Sequence, residues 1–153
     1  MPEYLETTVD KFIFRVATDR LYHSDGVWAF WVESQSDGRV RIGVTDYLQQ
    51  LNGDVAFAHV KPAGTKLTVG DEFAELETIK ANVSLFSPVS GTVVEINPDL
   101  DLSPEVINQE PYGKGWLAII EAANWQSDRA KLLDANAYVL AMRSQAEEEL
   151  KKQ

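Results

Sequence analysis

Glu75-Leu76-Glu77-Thr78-Ile79-Lys80-Ala81-Asn82-Val83-Ser84-Leu85-Phe86-Ser87-Pro88-Val89-Ser90-Gly91 is the stretch that decides how this chain is read. Strand-forming residues lie on both sides of one lysine, so the pattern predicts a tight hairpin with Lys80 at its turn. Pro88 and Gly91 then read as turn residues that close the second strand. A lysine at an exposed tip offers its amine and the surrounding backbone together to a modifying enzyme. Attack on an activated acyl group needs the neutral amine, and a lysine in water is mostly protonated at neutral pH. The enzyme must therefore remove the proton, and the chain need only present the amine. On spacing alone an ordinary solvated lysine is the commoner reading of such a position.

Working outward, residues 62–96 are short strands punctuated by Gly64, Gly70, Pro88 and Gly91, the rhythm of a β-sandwich or barrel. Pro62-Ala63-Gly64-Thr65 and Pro88-Val89-Ser90-Gly91-Thr92 echo one another, each introducing a strand on one side of the Lys80 region. Upstream, Phe12–Val16 and Val27–Val32 read as strands, and Arg39–Val44 alternates polar with apolar. Ser36-Asp37-Gly38 is the turn expected between the last two. Thr45 caps a helix of about two turns that ends at Asn52-Gly53, and Val55–Val60 returns to strand. Downstream, Ser103 and Pro104 read as the N-cap and first residue of a brief helix, and residues 116–120 as a buried strand. From Ser127 the chain is rich in Ala, Leu and Glu without Gly or Pro, which predicts one or two helices. Leu132, Leu133, Tyr138, Leu140 and Met142 are candidates for their apolar stripe, and Glu147-Glu148-Glu149 for a solvated, fraying end.

Composition bounds the chemistry. The 153 residues are 44% apolar, enough for a real core, and no apolar run approaches a bilayer span. The first residues lack the basic and apolar regions of a secretory signal, so the expected location is cytoplasmic. With no cysteine, disulfide and thiolate chemistry are excluded for the chain itself. His23 and His59 are isolated, which argues against a metal site. A net charge of −10 disfavours nucleic acid and anionic lipid, and suits docking to basic protein surfaces.

The Lys80 stretch resembles the lipoyl-lysine site of the glycine cleavage H-protein family. That family has a glutamate three positions before the lysine, a small residue after it and a Ser-Pro-x-Ser-Gly turn downstream. Here these are Glu77, Ala81 and Ser87-Pro88-Val89-Ser90-Gly91. Gly43-Val44-Thr45-Asp46-Tyr47, Pro104-Glu105-Val106-Ile107-Asn108, Glu110-Pro111-Tyr112-Gly113-Lys114-Gly115-Trp116-Leu117 and Leu132–Tyr138 resemble further family segments in order, so the likeness spans about residues 27–140. Only this likeness reverses the commoner reading of Lys80. It implies a mainly β barrel-sandwich hybrid of the lipoyl/biotinyl type with short helices and a helical C-terminus. Its implied layout is a carrier domain with an N-terminal extension over 1–126 and a helical tail over 127–153. It implies lipoic acid attached covalently to Lys80, with Glu77, Ala81 and Gly91 as ligase-recognition residues. The chain is then a non-catalytic carrier, taken as a monomer, that a lipoate ligase or lipoyl transferase modifies. Biotin is disfavoured, because Ile79 and Ala81 stand where biotinyl sites carry methionines.

The departures from the family bear on the client enzymes. The family's His-Glu-Trp triplet is absent; Gly26-Val27 precede Trp28 instead. His59 replaces an acid of the family pattern, and Asn82-Val83-Ser84 replaces its Ser-Asp. This pattern resembles the H-protein-like lipoate-binding proteins that accompany heterodisulfide-reductase-like complexes in bacterial sulfur oxidation. The expected role is therefore carriage of dithiol-bound sulfur or electrons for such a complex. The alternatives are carriage of an aminomethyl group between the glycine cleavage enzymes, or an unlipoylated interaction module.

Overall fold

A computed structural model of the chain describes residues 3–32 and 38–152. Of the turn expected at 36–38, only Gly38 falls within them. Two sheets form the body. Six antiparallel strands run in the order β3 (Leu21–Tyr22), β4 (Val27–Trp31), β5 (Arg39–Val44), β11 (Ala118–Ala122), β10 (Gly91–Ile96) and β7 (Lys66–Leu67). Three more follow the order β6 (Val55–Val60), β8 (Glu72–Thr78) and β9 (Asn82–Phe86). Alternate residues of both sheets point inward, and Val27, Val40, Ile42, Phe73, Leu76, Leu85, Val93 and Ile120 fuse into one apolar core. The two echo segments are neighbours: Lys66 and Leu67 pair with Thr92 and Gly91, and the Gly64 N–H reaches the Val93 carbonyl at 2.7 Å.

A second core lies outside this sandwich. The strands β1 (Tyr4–Val9) and β2 (Phe12–Ala17) form a hairpin closed at Asp10, which adopts φ 55°. Only β2 was legible beforehand; β1, Tyr-Leu-Glu-Thr-Thr-Val, is mostly exposed and carries too few apolar residues to stand out. The helix α4 (Ala135–Lys151) packs on this hairpin and on β3 through Tyr138, Met142 and Ala146. Leu140, expected in its stripe, is 72% exposed, because two residues on from Tyr138 is the far side of an α-helix. The acidic triplet does not end the helix, which runs on to Lys151 with Lys151–Glu148 and Lys152–Glu149 ion pairs.

The helix expected from Thr45 is α1 (Asp46–Asn52), with the Thr45 hydroxyl accepting from the Leu48 N–H at 3.2 Å. The helix placed at Ser103 begins later, as α2 (Val106–Gln109). Residues 103–105 accept i→i+3 bonds from Val106, Ile107 and Asn108, so the first turn is too tight to count as α-helix. The short α3 (Trp125–Arg129) precedes α4. Trp28 is fully buried, and its indole N–H is shared between the Val44 and Pro111 carbonyls. It lies over Gly43, where a Cβ would come within 2.5 Å of the ring. No helix among the described residues is long and apolar enough to cross a membrane.

Candidate functional site: the tip of the β8–β9 hairpin

The strands β8 and β9 pair from Glu72–Phe86 to Glu77–Asn82, which leaves Thr78, Ile79, Lys80 and Ala81 as the tip. Thr78 closes it. Its backbone N–H donates to the Ala81 carbonyl at 2.9 Å, and its hydroxyl donates to the same carbonyl at 2.7 Å. The hydroxyl oxygen in turn accepts from the N–H groups of Lys80 at 3.3 Å and Ala81 at 3.1 Å. One side chain thus satisfies the backbone of the turn around the lysine. Thr78 was not singled out from the sequence, although a threonine two residues before a loop apex has this capacity to bond its own turn.

The tip is tethered to the body from one side. The Ile79 N–H donates to the Asp54 carbonyl at 3.2 Å, just past the end of α1. Asn108 of α2 braces that junction: its side-chain amide donates to the Gly53 carbonyl and its oxygen accepts from the Val55 N–H, both at 2.9 Å. Lys80 itself is exposed, with its ammonium donating to the Leu51 carbonyl at 3.2 Å. Leu51 stands in the last turn of α1, where carbonyls lack an intrahelical partner. The lysine is therefore loosely parked on the helix end and remains open to solvent.

Glu77 and Ala81 are brought to the tip; Gly91 is not. Glu77 is on the solvent face of β8 and meets His59 of β6, with Nε2 and Oε2 2.8 Å apart. His59 is half exposed or more and points outward beside Phe57, so its structural role is this pair and not a place in the core. Gly91 begins β10 in the six-stranded sheet, paired with Ala122 and Leu67. Its φ is +154°, and a Cβ there would lie 2.1 Å from the Glu121 carbonyl oxygen, so packing of the sheet explains the glycine. Leading into the Gly26-Val27-Trp28 stretch, residues 23–26 form a tight turn in which the His23 and Asp25 side chains pair at 3.0 Å. The Gln145 amide of α4 covers it by donating to the Ser24 carbonyl at 2.8 Å.

Residues 20–145 match the sequence profile of the family described as Glycine cleavage H-protein. The chain belongs to that family. Among its relatives, the glycine cleavage system H protein of Mycobacterium avium (strain 104) is 44% identical over 111 residues, covering 71% of this chain and 84% of the relative. The glycine cleavage system H protein of Oceanobacillus iheyensis is 41% identical over 120 residues, covering 78% and 91%. The crystal structure of a glycine cleavage system H protein from Mycobacterium marinum superposes with a TM-score of 0.70 at 31% identity, covering 80% of this chain and 94% of that one. The expected lipoyl-type barrel-sandwich is thus the fold observed. Proteins of this family are non-catalytic carriers with a lipoyl group attached covalently to a lysine. The exposed Lys80 and the turn closed by Thr78 fit such a group.

Proposed function

We propose that Lys80 carries the lipoyl group and that the chain serves glycine cleavage as a cytoplasmic carrier. The observation that carries the first half is the tip itself: an exposed lysine on a turn held by Thr78, in the stretch most like the family's lipoyl site. The second half rests on relatives such as those of Mycobacterium avium and Oceanobacillus iheyensis, which are named for glycine cleavage and share 44% and 41% identity with this chain. They favour the aminomethyl alternative over the sulfur-linked role expected from the departures.

When bound, the lipoyl group supplies a dithiol/disulfide that a chain without cysteine cannot provide. The residues of this chain present it. Thr78 fixes the direction in which Lys80 leaves the turn, and Ile79 ties that turn to the end of α1. In this reading Glu77 and Ala81 face the ligase, Glu77 as a carboxylate held in place by His59, and Ala81 as a residue small enough to expose the backbone beside the amine. The tether raises the concentration of the arm at a docked enzyme to about the millimolar range.

The sulfur-linked reading keeps one observation in its favour: Gly26-Val27 before Trp28, and His59, stand where the family pattern has His-Glu before its Trp and an acid. Intact mass separates the readings. The chain is incubated with lipoate ligase and lipoate, then with glycine, glycine decarboxylase and its pyridoxal cofactor, with Lys80→Arg as control. One lipoyl mass on the native chain only, followed by aminomethyl loading, is the expected result. A lipoyl mass without loading moves the client to a redox or sulfur-transferring complex. No lipoyl mass under conditions that modify a control domain overturns the carrier reading and leaves an interaction module.

A further inference from the structure

Among the described residues, Arg41 alone has a buried side-chain polar atom that nothing satisfies. It stands in β5 between Val40 and Ile42, which both face the sandwich core, so alternation turns it to the outer face of the six-stranded sheet. Its row across that face is Phe30 of β4, Arg41, Ile119 of β11 and Glu95 of β10. The guanidinium lies over the Trp116 ring at 5.1 Å, and its Nε is closed to solvent without an acceptor. Arg15, Arg20 and Arg143 each meet a carboxylate, of Glu6, Asp19 and Glu147. Arg41 meets none among the described residues.

A buried donor without an acceptor has lost its bond to water and gained nothing in return. With 24 acidic side chains against 14 basic ones, the chain has carboxylates to spare, yet none is placed here. Glu95 is two strands away in the row, roughly 10 Å by strand spacing, and Glu121 stands opposite Arg39 instead. We infer that Arg41 receives a carboxylate from outside the chain, at the centre of a docking site for an acidic segment of a partner protein.

Charge and shape select this occupant. Stacking on Trp116 holds the plane of the guanidinium, so the fork of Nη1 and Nη2 is presented ready to take a carboxylate through two bonds. Phe30 and Trp116 are half-buried and leave apolar surface on either side for the residues next to the acid. The Arg20 guanidinium backs Phe30 at 5.1 Å but is already taken by Asp19 and the Tyr112 carbonyl, which leaves Arg41 as the open cation of the strip. The net charge of −10 opposes an acidic partner only at long range, because physiological salt screens charges beyond about 8 Å. Lys80 lies at the tip of the other sheet, so a partner held at Arg41 leaves the arm free to move. The site does not depend on lipoylation.

The full chain, labelled with ¹⁵N, is titrated at constant ionic strength with acetyl-Leu-Glu-Leu-amide, with acetyl-Leu-Gln-Leu-amide, with acetate and with inorganic phosphate. The Arg41 Nε–H has its own side-chain signal. The glutamate peptide is expected to shift it saturably, together with the Trp116 indole and the Phe30 and Ile119 amides. It should bind roughly tenfold more tightly than the glutamine peptide, the scale of one charge-assisted pair. Arg41→Gln should erase that preference. Equal affinity for the two peptides, or a preference that survives Arg41→Gln, overturns the inference. Acetate or phosphate shifting the signal as strongly as the glutamate peptide makes the site a general anion receptor and overturns the acidic segment. If Arg41→Gln does not fold, the Arg41 signal of the native chain with the two peptides decides alone.

Discussion

The two cores of this molecule are built on different chemistry. The sandwich core is aliphatic apart from Phe73: Val27, Val40, Ile42, Leu76, Leu85, Val93, Leu117 and Ile120 present no polar side-chain atom, and register follows from alternation along each strand. The outer core, which joins the N-terminal hairpin and α4 to the sandwich, is aromatic and hydrogen-bonded. The Tyr22 hydroxyl donates to the Ala17 carbonyl at 2.6 Å, and the Tyr112 hydroxyl to the Arg15 carbonyl at 2.6 Å. The Tyr138 and Thr45 hydroxyls meet at 3.1 Å, and the Tyr22 and Tyr138 rings stack with centres 4.6 Å apart. Burying an aliphatic face needs only shape and period. A buried phenol also needs a partner, so Tyr112 and Tyr138 each fix the position of a segment more than ninety residues away. The sandwich thus holds the arm hairpin by packing, while the tyrosines dock the cap that walls a cleft beside it.

The largest break expected is in the sandwich. Gly91→Ala would drive a methyl group into the Glu121 carbonyl and should cost roughly 4 kcal/mol in urea unfolding. Phe14→Ala in the cap, where Phe14 meets Tyr47 edge-on with centres 5.2 Å apart, should cost about 3 kcal/mol. If the cap and the arm hairpin are as separate as their cores, that variant is still lipoylated at a temperature where it remains folded. Loss of modification in the folded variant would join the two regions into one unit.

Alkaline pH sharpens the contrast, because titratable hydroxyls are buried on one side only. Burial raises Tyr22, Tyr47, Tyr112 and Tyr138 above the usual tyrosine range, so the folded chain keeps protons that the unfolded chain loses. Their contribution is fully present below the ordinary tyrosine pKa of about 10 and falls away as pH rises past it. Near pH 10 the four together should lose roughly 1–2 kcal/mol. Phenolate absorbance from these four should therefore appear together with unfolding, not before it.

At the tip the effects are smaller. Thr78→Val removes the hydroxyl from the turn and should cost about 1 kcal/mol, with faster amide hydrogen exchange at Lys80 and Ala81. Unchanged exchange there would mean that the backbone bond from Thr78 to Ala81 holds the turn unaided. Smallest of all is His59→Ala: its exposed pair with Glu77 should be worth within about 0.5 kcal/mol of stability. Any effect of His59→Ala on lipoylation rate would then report on ligase contact and not on folding.

The arm hairpin, the α1 helix and the β4–β5 pair were legible because each rests on a local rule. Alternation placed the strands, Thr45 and Gly53 bracketed the helix, and Lys80 lay between two strand-forming runs. The cap was only half legible. Strand β1 faces solvent along most of its length, and the stripe of α4 includes two alanines that no hydrophobicity pattern distinguishes from surface residues. Gly91 was read as part of the site on resemblance, and the structure adds a packing reason for it in the sheet.

By itself the sequence determined that a lysine would stand at a hairpin turn on a mainly β scaffold, that the chain could contribute no thiol, and that its fold and carrier class were those of the glycine cleavage H proteins. These depend on residue type and on spacing over a few positions. The tertiary structure decided what surrounds the lysine. It brought Leu51, Phe12 and Leu150 to one cleft from positions 29 to 70 residues away from Lys80 in the chain, and set His59 against Glu77 across two strands. No local rule encodes those meetings, because they follow from how two separate cores are packed against each other.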